Sequence, residues 1–257
     1  MKILLLIFLF IISPVSAKTS KIENLIDKTT LYLIETWNKD ENLNKLYPPK
    51  VIAVPSGTRI YGGGCKGSNK GVDVAGSHYC PADNTIILDP TQLKTFIKAF
   101  GNSSVAYVIS HEFAHALQKA LEIRLKNPNH ELQADCLAGY FLQMGNKELG
   151  ITRESILEMA SAAYAIGGET HGSGAQRAYA LLSGMGRVDS TCSIASIDKL
   201  VEGKINDPLY KAFTKTRGSG KNMDLDSTPY KKDAAGLLGA NINFLSTKLK
   251  FKYWKYD

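Results

Sequence analysis

Beyond residue 12 the 257-residue sequence has no long unbroken apolar run, and a membrane-spanning helix needs about 20 such residues. Its four cysteines include no Cys-x-x-Cys pair, which argues against a cysteine-based zinc site. There is no internal repeat and no low-complexity block. The glycine-rich stretch from Gly62 to Ser77 lacks the lysine-then-helix arrangement of a phosphate-binding loop and reads instead as a disulfide-tied surface loop. The net charge is +7 and the pI about 9.1, yet no aromatic-interleaved nucleic-acid motif accompanies the lysines. The charge therefore reads as solubility and weak attraction to anionic surfaces, and no nucleic-acid partner is expected. What remains is ordinary globular composition, 44% hydrophobic and 21% charged, in a length sufficient for one substantial core.

Residues 1–17 have the pattern of a signal peptide. Lys2 precedes the apolar run Ile3 to Ile12, and Val15-Ser16-Ala17 is a small-residue cleavage site. Export, to the periplasm or outside the cell, is the expected localisation, with no stable membrane anchor after cleavage. Disulfides persist in such compartments, so Cys65, Cys80, Cys136 and Cys192 are expected to pair. Four cysteines allow three connectivities. Cys65 and Cys80 share one loop-rich segment, which favours a local pair and leaves Cys136 with Cys192.

Helical periodicity runs from Lys18 to Asn44, with Ile22, Leu25, Ile26, Thr29, Leu33 and Trp37 on one stripe. Short strands are expected at Val51 to Val54 and Asn84 to Asp89. Helices are expected at Gln92 to Phe100, Ser104 to Leu121, His130 to Met144, Arg153 to Ala165, Gly174 to Leu182 and Ser193 to Lys204. After Asn206 the signals weaken, and Lys248 to Lys255 resembles an exposed edge strand. The expected organisation is a signal peptide at 1–17, a domain at 18–205 and a C-terminal extension at 206–257.

Within this frame His111-Glu112-Phe113-Ala114-His115 stands out as H-E-x-x-H on a helix. Positions i and i+4 lie on one helix face, so both imidazoles can reach one metal ion. Glu112 projects about 100° around and can approach a water at that ion without being a ligand, as zinc-dependent peptide hydrolysis requires. A catalytic zinc site needs a third protein ligand. The metzincin spacing is excluded, because Gln118 and Leu121 stand where it requires Gly and His. Glu131 opens the next helix, 16 residues after His115, and is the best candidate; His130 is its competitor. Asp135, one turn after Glu131, can accept from a ligand imidazole and fix its tautomer. Glu112 would be the general base, and His171 the first candidate for oxyanion stabilisation, ahead of Tyr107 and Arg177. His78 reads as structural.

In sequence the chain resembles the predicted neutral zinc metallopeptidases of bacteria. The likeness spans roughly Leu33 to Cys192. It rests on Glu35-Thr36-Trp37, Tyr79-Cys80-Pro81-Ala82-Asp83, Ile87-Leu88-Asp89, the segment Tyr107 to Gln118, Glu131 to Cys136, and His171 to Arg177. Gly174 departs from the small polar residue that pattern would carry. The resemblance implies an α+β, mainly helical, zincin-like metalloprotease core with a small N-terminal sheet. It also implies one Zn2+ per chain, a peptide or protein substrate, and roles for Glu131 and the His171 to Arg177 segment. The rival reading is a non-catalytic zincin-scaffold binding or regulatory protein with a structural zinc.

Overall fold

The computed structural model describes residues 20–60 and 72–214. The chain opens on α1 (Lys21–Lys39). Ser20 accepts from the Glu23 backbone and Glu23 reaches back to the Ser20 backbone, a capping box that satisfies amide donors the first turn leaves unpaired. Of the expected stripe, Ile22, Ile26, Thr29, Leu33 and Trp37 are buried. Strands β1 (Lys50–Ala53), β2 (Arg59–Ile60), β3 (Val72–Asp73), β4 (His78–Cys80) and β5 (Thr85–Leu88) follow. β5 is the middle of a three-stranded sheet, parallel to β1 and antiparallel to β4; β2 and β3 form a separate antiparallel pair.

The two faces of β5 follow from strand alternation. Ile86 and Leu88 enter the main core, whereas Ile87 packs with Cys80 and Val74 on the other side. Segment 78–80 is a strand, not the loop that its sequence suggested. Its pairing partner β5 is fully buried and supplies the ladder, a non-local contact that three residues cannot advertise.

Helices then dominate. Asp89 caps α2 (Pro90–Phe100), whose first residue is a proline, a position where the missing N–H costs nothing. Next come α3 (Ser103–Ala120), α4 (Asn129–Met144), the short α5 (Asn146–Leu149) that the sequence pattern did not predict, and α6 (Arg153–Ala165). The fold continues with α7 (Gly174–Gly184), α8 (Ile194–Val201) and α9 (Pro208–Thr214). α3 carries the H-E-x-x-H residues and is buried along most of its length. Its N-cap is Asn102 with no side-chain cap bond, so Ser104 is inside the helix and donates to the Gly101 carbonyl instead.

α4 packs on both α3 and α7. The approach to α7 is close: a Cβ on Gly184 would strike the Cys136 carbonyl, so only glycine lets the two backbones meet. Gly174 has a similar cause, since a Cβ there would strike the Tyr164 carbonyl on α6. The α7 start is nevertheless firm, because Ser173 and Gln176 form a second capping box. Past the expected boundary near residue 205, α9 buries Leu209, Tyr210 and Phe213, with Tyr210 against Tyr179 and Phe213 against Tyr164.

Cys136 and Cys192 are bonded, tying α4 to the segment before α8. Cys80 is also disulfide-bonded; its expected partner Cys65 lies outside the described residues, as do residues 62–71 of the loop expected from Gly62 to Ser77, whose Val72 and Asp73 form β3 and not loop. The signal-peptide residues 1–17 and the expected edge strand at 248–255 also lie outside the described residues. No described helix is long and apolar enough to cross a membrane. The architecture is mainly helical with a small sheet, an α+β arrangement.

Candidate metal centre

A cleft of about 480 Å³ runs between α3, β4 and the turn before α7; among its lining residues are His78, Glu112, His130 and His171. On its wall, one ligand atom each from His111, His115 and Glu131 lie within 4.8 Å of one another. The two imidazole Nε2 atoms are 3.1 Å apart, and Glu131 Oε2 is 3.2 Å from the first and 3.5 Å from the second. α3 supplies the histidines from successive turns of one face, and the α3–α4 hairpin brings Glu131 back over them.

His111 Nδ1 faces Asp135 Oδ1 at 2.9 Å, in ion-pair contact though bent away from a straight hydrogen bond. Asp135 is completely buried and is held by Tyr107 Oη, which donates to Oδ1 at 2.7 Å, and by Arg177, whose Nε and Nη2 donate to Oδ2 and Oδ1. Arg177 Nη1 donates to the Ile166 carbonyl and Nη2 also to Tyr107 Oη. With Nδ1 turned to a carboxylate, a neutral His111 would direct the lone pair of Nε2 at the Glu131 carboxylate, a clash of two acceptors that a proton or a metal ion between them relieves. Two imidazole nitrogens and a carboxylate converging in this way match the donor set of a zinc site with an open fourth position.

The electrostatics agree. Burial by itself would lower the His111 pKa, but the charge of Asp135 and hydrogen bonds with Asp135 and Glu131 outweigh it and raise it to about 10. Burial would raise Glu131, but hydrogen bonds from His111 and His115 hold it far below the usual carboxylate range. Asp135 is likewise lowered despite its burial, chiefly by the Arg177 charge, and burial pushes Tyr107 well up, so that it stays a donor. The cluster thus attracts positive charge, whether a proton or a metal cation.

The remaining candidates divide. Glu112 is 7% exposed and lines the cleft. His171 lines it too, in a turn whose Gly172 has φ +87°, with Nδ1 2.7 Å from Thr170 Oγ1. Tyr107 and Arg177 reach the same cleft but are committed to Asp135. His130 stacks on His115 with ring centroids 4.7 Å apart; its Nδ1 is 4.0 Å from Glu131 Oε1, and it is not part of the three-residue cluster. His78 bonds through Nδ1 to the Gly76 carbonyl and lines the cleft from β4.

Sequence reasoning passed over two buried glutamines, Gln118 and Gln133. Gln118 Oε1 is 2.8 Å from His115 Nδ1, and Gln118 Nε2 donates to Gln133 Oε1 at 3.0 Å. The available signal was spacing, since Gln118 lies three residues after His115 and on its side of the helix.

The family model described as "Putative neutral zinc metallopeptidase" matches residues 20–183. Two curated relatives, each named "Uncharacterized protein YpfJ", come from Escherichia coli strain K12 and Escherichia coli O6:H1. Each is 32% identical over 181 residues, covering 61% of this chain and 58% of the relative. The chain therefore spans less than two thirds of the length of these relatives. No solved structure matches significantly.

Proposed function

The chain belongs to the neutral zinc metallopeptidase family whose model it matches, and from that premise we propose that it is a zinc-dependent endopeptidase acting on peptide or protein substrates. The observation that carries this reading is the convergence of His111, His115 and Glu131 within 4.8 Å, beside Glu112 in one cleft. The core is read as zincin-type, with α3 behind the small sheet and β4 bordering the cleft. The Cys136–Cys192 bridge suits an exported enzyme.

In this reading His111, His115 and Glu131 hold one zinc ion. Bound there, zinc supplies Lewis acidity, which acidifies water and polarises a scissile carbonyl. Glu112 takes the proton of the attacking water and returns it to the leaving amine. Asp135, fixed by Arg177 and Tyr107, keeps His111 in the tautomer that leaves Nε2 free. His171 is the candidate donor to the oxyanion, as it lines the cleft on a separate turn.

The test compares the native chain with Glu112→Gln. Both are expected to bind one zinc, and casein cleavage is expected to fall about 100- to 10,000-fold in the variant. Equal cleavage by both forms would remove Glu112 from the mechanism. Zinc binding without cleavage by either would favour a binding or regulatory protein.

A further inference from the structure

Gln118 is fully buried in α3, and its neighbours fix which way its amide points. Its Nε2 donates to the His130 carbonyl oxygen at 2.9 Å as well as to Gln133. A carbonyl oxygen only accepts, so the nitrogen end of the amide must face His130. The oxygen end is then the one that meets His115 Nδ1. Because that oxygen only accepts, Nδ1 must carry the hydrogen, and Nε2 keeps the lone pair directed at His111 and Glu131.

Gln133 is fixed by the same reasoning. Its Nε2 donates to the Cys192 carbonyl at 3.2 Å, leaving Oε1 for Gln118. Cys192 is in turn bonded to Cys136, three residues along α4 from Gln133. The hydrogen-bond chain therefore runs from His115 through two buried amides to a carbonyl anchored by a disulfide.

We propose that Gln118 is the positioning residue for His115, imposing its Nδ1–H tautomer and ring orientation, with Gln133 and the Cys192 carbonyl holding Gln118 in place. The two histidines are then served by different partners, His111 by the Asp135 carboxylate and His115 by a neutral amide. Outer partners of this kind set the affinity of a metal site as well as its geometry. The inference rests on the reading that the cluster holds zinc.

The experiment is a zinc titration of the full chain in competition with a chromophoric chelator, joined to 15N NMR of the imidazoles in the zinc-free form. Gln118→Leu is expected to weaken zinc binding about 10- to 100-fold and to cost His115 its Nδ1–H tautomer. Gln118→Glu keeps an oxygen against Nδ1 but gives up the donor to the His130 carbonyl and Gln133, and is expected to retain the Nδ1–H tautomer and recover part of the affinity. Unchanged affinity in Gln118→Leu overturns the proposal, as do equal losses in both variants with the tautomer intact. Should Gln118→Leu fail to fold, Gln133→Leu acts one link further out. It is expected to lower affinity by a smaller factor, and native affinity there overturns the proposal. A native chain that binds no zinc would overturn the metal reading itself, whereas native binding with an unaffected Gln118→Leu sinks this inference alone.

Discussion

Arg177 and Asp135, 42 residues apart in sequence, form a two-pronged ion pair in the interior, Nε to Oδ2 at 2.8 Å and Nη2 to Oδ1 at 2.9 Å. The same Oδ1 lies 2.9 Å from His111 Nδ1. A side chain on α7 thereby governs the setting of a histidine on α3, with α4 between them.

Removing one partner of a buried pair leaves the other as an uncompensated charge, which typically costs about 3–5 kcal/mol. Arg177→Met is therefore expected to lower the unfolding free energy of the metal-free chain by about that amount in urea titrations. Adding Asp135→Leu should return much of the loss, since the stranded carboxylate is gone. A single variant as stable as the native chain would show that Arg177 is not what keeps Asp135 ionised.

Zinc binding to the folded chain should appear as thermal stabilisation. With free zinc at about a thousand times its Kd the expected gain is about 4 kcal/mol, removable by a chelator. Glu131→Gln removes the one carboxylate of the proposed ligand set, and the melting temperature should respond far less to zinc. An undiminished zinc response in that variant would exclude Glu131 from the ligand set.

Asp89, which is not one of the three clustered residues, provides a separate pH dependence. Burial pushes its pKa up, but hydrogen bonds from Ser56, Thr91 and Gln92 outweigh this and hold it below the ordinary 3.8. A lowered folded-state pKa means that the unfolded chain binds the proton more readily. The stabilisation is therefore complete above the ordinary value and is lost as pH falls through the folded one. Asp89→Ala should cost about 0.5–2 kcal/mol at neutral pH, as a lost helix cap. It should also flatten the dependence of stability on pH below about 4. Urea unfolding of both forms between pH 3 and 7 measures this, and parallel curves would refute it.

Much of the site was readable because its geometry is local. His111 and His115 are one helical turn apart, Glu131 and Asp135 are one turn apart, and helix periodicity alone puts each pair on one face. The buried stripe of α1 and the extent of α6 follow the same period. β4 was missed because three residues carry too little pattern and its ladder comes from β5. α9 was missed because its amphipathic signal is seven residues long and its stability comes from packing against Tyr164 and Tyr179. In the sequence Gln118 only excludes one spacing, since a glutamine advertises no chemistry until its partners are known.

By itself the sequence determined the chemistry on offer: two imidazoles and a neighbouring carboxylate on one helix, two further carboxylates on the next, and cysteines suited to bridging. Those are matters of residue type and of a period fixed by backbone hydrogen bonding. Tertiary structure alone decided that Glu131 closes on both histidines, that Arg177 and Tyr107 serve Asp135, and that Gln118 and Gln133 are each oriented by a backbone carbonyl. These contacts join residues from separate helices, and their cause is the burial of polar groups that must find partners once water is excluded.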